Sequence, residues 1–248
     1  MDFFSVIIVN FVLAMSNKIN LVAFILGAGT NVGAAVAAKL NKEGYRVALG
    51  GRNPKPRRED SPYFDVQVDV SKKESIFAAF DTVVKKLGPV NVVVYNAASV
   101  AVPSVEGEIL SIPVESYEQE AAIGINTFTA AQKALESFRS EVHRHNPKTF
   151  IVTGNILPFS HHTIPKWYTL GIQKALESRL VATAANTYQA ENIQFYFATL
   201  VSKDGGIPGD FYESGPAHAE AYWRLINHEK QEDWNQQFTS DGQKYPRA

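Results

Sequence analysis

Apolar runs alternate with amphipathic stretches along most of this chain. Leu21 to Leu26 is a continuous apolar run, the mark of a strand buried on both faces. A Gly-rich turn follows, then an Ala-rich helix from Val32 to Asn41 that ends near Gly44. Tyr45 to Leu49 is the second strand, and Phe64, Val66, Val68 and Val70 alternate as the third. Ser71-Lys72-Lys73-Glu74 has the spacing of a capping box, opening a helix that runs to Leu87 and stops at Gly88-Pro89. Val90 to Tyr95 is a fourth strand, Val114 to Arg144 a long helix, and Thr149 to Thr153 a fifth strand. Trp167 to Gln189 is a further helix and Gln194 to Leu200 a sixth strand. Gly205, Gly206, Pro208 and Gly209 then form a loop before an aromatic-rich helix around Ala217 to Asn227, with Trp234 and Phe238 returning on a last short strand. Strand and helix in strict alternation, with continuously apolar strands, predict a Rossmann-type, doubly wound parallel sheet in three layers. No linker, repeat or low-complexity segment divides it, so residues 15–248 read as a single domain.

Composition agrees with one folded unit. The 248 residues are 45% hydrophobic and 20% charged, enough to build a sizeable core. A formal net charge of -1 and the lack of long like-charge runs give no electrostatic reason for a nucleic-acid or membrane partner. The small cluster Lys55, Arg57 and Arg58 reads as a solvated loop. With no cysteine, thiolate metal sites, disulfides and a cysteine nucleophile are all excluded, and no His and carboxylate spacing suggests a metal. Phe3 to Ala14 is almost wholly apolar but too short to span a bilayer, and Asp2 replaces the basic start of a signal peptide. Met15-Ser16-Asn17-Lys18 is an ordinary cytosolic start, so residues 1–14 are expected to be a dispensable extension of a cytoplasmic protein.

The chemistry begins at Gly27-Ala28-Gly29-Thr30-Asn31-Val32-Gly33, between the first strand and the first helix. Small residues there let the backbone approach a dinucleotide pyrophosphate, while free N–H groups and the helix dipole face its charge. The spacing resembles the Gly-x-x-x-Gly-x-Gly turn of the short-chain dehydrogenase/reductase family. Gly27 and Gly33 take its outer positions and Asn31, which tolerates a left-handed backbone, the middle one. Val68-Asp69-Val70 is similar to the family's adenine-contacting Asp after the third strand. Tyr95-Asn96-Ala97-Ala98 is similar to its Asn-Asn-Ala-Gly after the fourth, and the likeness extends over residues 21–200. It implies a nicotinamide cofactor held by Gly27, Gly29, Thr30, Asn31, Val32, Gly33, Arg52, Asn53, Asp69, Val70, Asn96, Ala97, Ala98 and Lys174.

The end of the second strand selects the cofactor. An acidic residue there would bind the adenosine ribose hydroxyls, but this chain has Gly50-Gly51-Arg52-Asn53. Without a carboxylate to repel a 2′-phosphate, and with Arg52 to pair it, NADP(H) is expected.

The resemblance also implies a catalytic Ser, a Tyr, and a Lys four residues after the Tyr. Trp167-Tyr168-Thr169-Leu170-Gly171-Ile172-Gln173-Lys174-Ala175-Leu176 resembles that helix, with Lys174 in place and Leu170 at the Tyr position. Tyr168 lies two residues away, a rotation of roughly 200° on a helix, and so points nearly opposite. Asn155 stands where the Ser belongs; its amide can donate a hydrogen bond but cannot relay a proton. The family's Asn on the preceding helix falls at Ile123 or Gly124, with Asn126 close by, and Leu200-Val201 replaces the usual Pro-Gly. Two readings stay open. One is a reductase of a small carbonyl compound whose proton comes from Lys174, water, His161 or His162; the other is a cofactor-binding sensor or scaffold without turnover. Phe159, Trp167, Tyr168, Phe211 and Tyr212 suggest an apolar or aromatic substrate. The apolar excess on the two long helices suggests a homodimer or homotetramer.

Overall fold

The structure is a computed structural model, and it describes residues 20–54, 60–160, 163–209 and 211–246. The expected extension at residues 1–14, the basic cluster at 55–58 and the His161-His162 pair lie outside the described residues.

Seven strands form one sheet: β1 (Val22–Leu26), β2 (Arg46–Gly51), β3 (Tyr63–Gln67), β4 (Val92–Tyr95), β5 (Thr149–Thr153), β6 (Gln194–Leu200) and β7 (Asn235–Phe238). They lie in the order β3-β2-β1-β4-β5-β6-β7, every neighbouring pair parallel. The helices are α1 (Val32–Lys42), α2 (Lys73–Leu87), α3 (Val114–Phe138), α4 (Tyr168–Thr187) and α5 (Gly215–Ile226). The doubly wound, three-layer fold expected from the apolar alternation is the one formed. No helix among the described residues is long and apolar enough to cross a membrane.

Strand period sorts the core. Phe24 and Leu26 point to the face covered by α2, α3 and α4; Ala23 and Ile25 point to the face covered by α1 and α5. Each strand is therefore apolar on both sides, which is why the sequence shows runs and not alternation. Phe80 of α2 meets Phe24 edge to face at 5.0 Å. No helix is seen among the described residues between β2 and β3, so the second face carries one fewer cover than the first. The strand order reverses between β1 and β4, and the crevice at the carboxyl ends of these two strands is where such sheets take ligands.

Four local expectations need correction. The capping box at Ser71 is not formed: the helix starts after Lys72 without a side-chain cap, because Ser71 instead donates its Oγ–H to Asp69 Oδ1 at 2.7 Å. The third strand ends at Gln67, although Val68 still donates its N–H to Gly51 O and buries its side chain on the expected face. The long helix stops at Phe138, short of Arg144. A separate 3-10 turn at Glu141–His143 follows, carrying His143 inward to lie 2.9 Å from Pro89 O. Asn31 is not left-handed, with φ −98° and ψ −97°; its side chain has another task.

Candidate nucleotide and reaction site

The turn after β1 is built by close packing. Gly27 has φ +88°, and a Cβ there would stand 2.5 Å from the backbone N of Ala97. Gly33 is as tight, since its Cβ would meet Ala28 Cα at 2.8 Å. Gly29 faces open space, and a Cβ at that position would find no atom of the surrounding chain within 4 Å. Gly27 and Ala28 both donate their N–H groups to Gly50 O, which fixes the turn on β2. Among the described residues the N–H groups of Thr30, Asn31, Val32 and Gly33 have no hydrogen-bond acceptor. Open space, small residues and unpaired N–H groups at the start of α1 fit a pyrophosphate.

Asn31 bridges that turn to the start of α5. Its Oδ1 accepts the N–H of Gly215 at 2.8 Å, and its Nδ2 donates to Phe211 O at 3.0 Å. Gly215 is required by the approach, for a Cβ would lie 2.9 Å from Asn31 O and 3.0 Å from Ala35 Cβ.

Asn96 braces the turn from beneath. Its Nδ2 donates to Gly27 O at 2.8 Å, while its Oδ1 accepts the Thr153 hydroxyl at 2.8 Å. Thr153 Oγ1 in turn accepts from Tyr222 at 2.8 Å, so one chain of bonds runs from α5 through β5 and β4 to the turn. Ala97 contributes backbone against Gly27, and Ala98, next in the chain, is exposed.

After β3, Asp69 is held by a short network of hydrogen bonds. Ser71 donates both its N–H and its Oγ–H to Asp69 Oδ1, and Asp69 N donates to Ser75 Oγ. Partial burial pushes the carboxyl upward, but the Ser71 hydrogen bonds and the Lys72 charge outweigh it and hold Asp69 below its ordinary range. Val70 O accepts the Nδ2–H of Asn126, so Asn126 serves α3 packing at this end of the sheet. Arg52 and Asn53 are exposed after β2. Arg52 lines an open cavity of about 550 Å³ together with Gln67, Asp69, Lys72 and Ser75.

The residues expected to serve the reaction sit on α4 and in the segment after β5. Leu170 is half-buried and carries no proton. Asn155 closes a local turn, its Oδ1 accepting the N–H of Leu157 at 3.0 Å, which leaves its amide N–H₂ as donor. Tyr168 begins α4 and stacks on Tyr117 at 6.0 Å; a hydrogen bond with Tyr117 raises its pKa, which makes it a poorer acid. Lys174 is 3% exposed and its Nζ lies 2.7 Å from Oε2 of Glu177, which is fully buried.

Residues that sequence reasoning passed over stand beside these. Thr169 and Gln173, one helical turn apart, join α4 to the segment after β4. Thr169 Oγ1 accepts from Ala101 N, and Gln173 Nε2 donates to Ser99 O at 2.8 Å and to Glu120 Oε2 at 2.6 Å. The face of α4 turned toward the end of β4 is thus 169/173, about 100° round the helix from 170/174. Gly124 permits the α3–α4 crossing, since its Cβ would meet Gln173 Cα at 2.9 Å. Tyr95 donates its hydroxyl to Ile123 O at 2.7 Å. The signals were available as an i, i+4 pair and an i, i+3 Lys-x-x-Glu, but only packing says which pair faces inward. No group of three or more potential metal ligands occurs among the described residues.

Comparison with known proteins agrees with this geometry. Residues 27–197 match a short-chain dehydrogenase/reductase family model described as enoyl-(acyl carrier protein) reductase. Uncharacterized oxidoreductases of Staphylococcus aureus are 27% identical over 136 residues in strain USA300 and 28% identical over 137 in strain MRSA252. Each alignment takes in 50% of this chain and 55% of the relative, so the chain spans about half the length of the curated relatives it matches. Among solved structures, a Serratia marcescens short-chain dehydrogenase/reductase aligns with TM-score 0.70 at 16% identity, covering 90% of this chain and 97% of the other. The NADH-dependent reductase A1-R′ of alginate metabolism aligns with TM-score 0.73 at 16% identity, covering 89% and 96%. A Pseudomonas aeruginosa RhlG/NADP complex gives 0.60 at 18% identity, covering 73% and 72%. With a family model matching residues 27–197, a glycine turn between β1 and α1 and a doubly wound parallel sheet, the chain belongs to the short-chain dehydrogenase/reductase family of oxidoreductases.

Proposed function

We propose that this protein is an NADP(H)-binding oxidoreductase that reduces a small carbonyl compound with an atypical proton donor. The observation that carries the cofactor choice is Arg52: it stands exposed after β2, where the chain has Gly50-Gly51-Arg52-Asn53 and no acidic residue, and lines a cavity with Asp65 and Asp69. Gly29, Thr30, Asn31, Val32 and Gly33 would hold the pyrophosphate, Arg52 and Asn53 the 2′-phosphate, Asp69 and Val70 the adenine. Asn96, Ala97 and Ala98 would floor the crevice, and Lys174 would serve the nicotinamide ribose. When bound, the cofactor supplies the hydride. Asn155 would orient the carbonyl oxygen through its amide N–H₂, leaving the proton to water or Lys174. The names of the structural relatives include both an NADP complex and an NADH-dependent reductase, so preference has to be read from this chain's own residues. We place the protein in the cytoplasm as a single domain over residues 15–248, assembled as a homodimer or homotetramer, with a small molecule as its partner.

One arrangement favours a second reading, a cofactor-binding sensor without turnover. Leu170 offers no proton, Thr169 and Gln173 are spent on the segment after β4, and Lys174 is paired with Glu177.

Nucleotide fluorescence titration decides the cofactor. A charge-assisted contact to the 2′-phosphate is worth about 1.5–3 kcal/mol, so NADPH should bind about tenfold or more tightly than NADH. Arg52→Asp should cancel or reverse that preference. Equal affinities, unchanged in the variant, would reject NADP(H). NADPH oxidation in the presence of an ortho-diketone then separates the enzyme from the sensor.

A further inference from the structure

The Lys174–Glu177 pair lies at the α3–α4 contact, away from water. Among the described residues, Lys174 Nζ has one hydrogen-bond partner, Glu177 Oε2 at 2.7 Å, and the buried Glu177 Oε1 has none. The groups facing the carboxylate are Lys174 on its own helix, Thr127 on α3 and Tyr95 on β4; of these only Lys174 is a cation. Tyr95 directs its hydroxyl to Ile123 O, and Thr127, which makes a longer bond to the same carbonyl, also lies close enough to the carboxylate to favour its ionised form.

Helix geometry sets the alternative. Side chains leave an α-helix tilted toward its N-terminus, and the N-terminus of α4 lies at the carboxyl edge of the sheet, beside the ligand crevice. The stem of Lys174 therefore starts toward the crevice. Glu177, three residues on, shares that tilt and reaches back to meet the ammonium at 2.7 Å, so the ion pair holds Nζ against the α3–α4 contact.

We propose that Glu177 is a positioning residue that withholds Lys174 from the cofactor, and that loss of the Glu177 charge frees the ammonium to extend toward the nicotinamide ribose. This rests on the reading that Lys174 serves that ribose. A buried ammonium without a counter-ion is costly, so Lys174 leaves once the carboxylate is neutral. Burial pushes Glu177 up to about 7 even though the Lys174 charge pulls it down. The lysine is thus released below about pH 7 and held above it.

NADP⁺ affinity measured from pH 5.5 to 8.5 on wild type, Glu177→Gln and Lys174→Met tests this. Ionisation of the 2′-phosphate affects all three alike, so ratios between proteins are read. Glu177→Gln should match wild type at low pH and bind about tenfold more tightly at high pH, a difference of roughly 1.4 kcal/mol. Lys174→Met should bind weakly throughout. A wild-type to Glu177→Gln ratio that stays constant with pH overturns the proposal, as does unchanged affinity in Lys174→Met. Should Glu177→Gln not fold, the carbon-13 carboxyl signal of Glu177 in wild type replaces it. That signal should shift toward the ionised form together with the loss of affinity relative to Lys174→Met, and independent transitions overturn the proposal. Absence of NADP⁺ binding in wild type at every pH rejects the cofactor reading itself, and the inference with it.

Discussion

Gly27 shows how little freedom the nucleotide turn has. Its φ of +88° belongs to glycine, and the space for a Cβ is filled by Ala97 N and Cα, backbone atoms that cannot rotate away. Asn96 then uses one of its two amide N–H groups to grip Gly27 O and its carbonyl oxygen to accept from Thr153, which braces the turn from below. Gly27→Ala should cost roughly 2–4 kcal/mol, combining a strained φ with overpacking, and should abolish nucleotide binding. Denaturant melting beside a binding titration reads both effects. Gly29→Ala is the contrast: nothing lies within 4 Å of its Cβ, so stability should stay near wild type while nucleotide binding falls.

Among elements, α1 and α5 cover one face of the sheet together, and Asn31 fastens their N-terminal ends through Gly215 and Phe211. A glycine at this position would leave Gly215 N–H and Phe211 O to find other partners. Asn31→Ala removes three hydrogen bonds at a half-buried contact, the weakest the 3.5 Å one to Ser214 Oγ, a loss of about 1–3 kcal/mol. We expect that loss to appear locally, as faster amide exchange and easier proteolysis in residues 211–217 than in β1 or β4. Uniform protection equal to wild type would show that packing of Gly215 on Ala35 suffices. On the other face, Gly124 lets α3 and α4 approach at Gln173, and the same approach encloses the Lys174–Glu177 pair. Helix contact and side-chain chemistry are therefore set by one residue without a side chain.

At the scale of the whole molecule, the outer surfaces of α3 and α4 remain apolar where no element of the chain covers them. Ile125 and Phe128 are 58% and 54% exposed, and Leu176 is 41% exposed beside Ile172 and Leu180. A second copy presenting the same stripe would bury them under a two-fold axis. Sedimentation at micromolar concentration should therefore give at least twice the 27.4 kDa chain mass, and Phe128→Lys should shift the protein to monomer without unfolding it. A monomer at every concentration would remove the assembly proposal. How much of this was legible beforehand follows from the range of the forces involved. Parallel strands buried on both faces must be apolar throughout, and helices that cover them must carry one apolar stripe, so the doubly wound sheet and the small-residue turn around Gly27 were written in local pattern, whereas the roles given to Asp69, Asn96 and Leu170 came from resemblance and not from periodicity. Register along an interface is not local. Whether α4 turns Thr169 and Gln173 or Leu170 and Lys174 toward the end of β4, whether Lys174 meets a cofactor or Glu177, and whether Asn31 bends the turn or ties down α5 depend on how elements far apart in the chain come together. Neighbouring positions on a helix differ by only about 100°, and close packing of distant elements, through Gly124 and Gly215, chose among them.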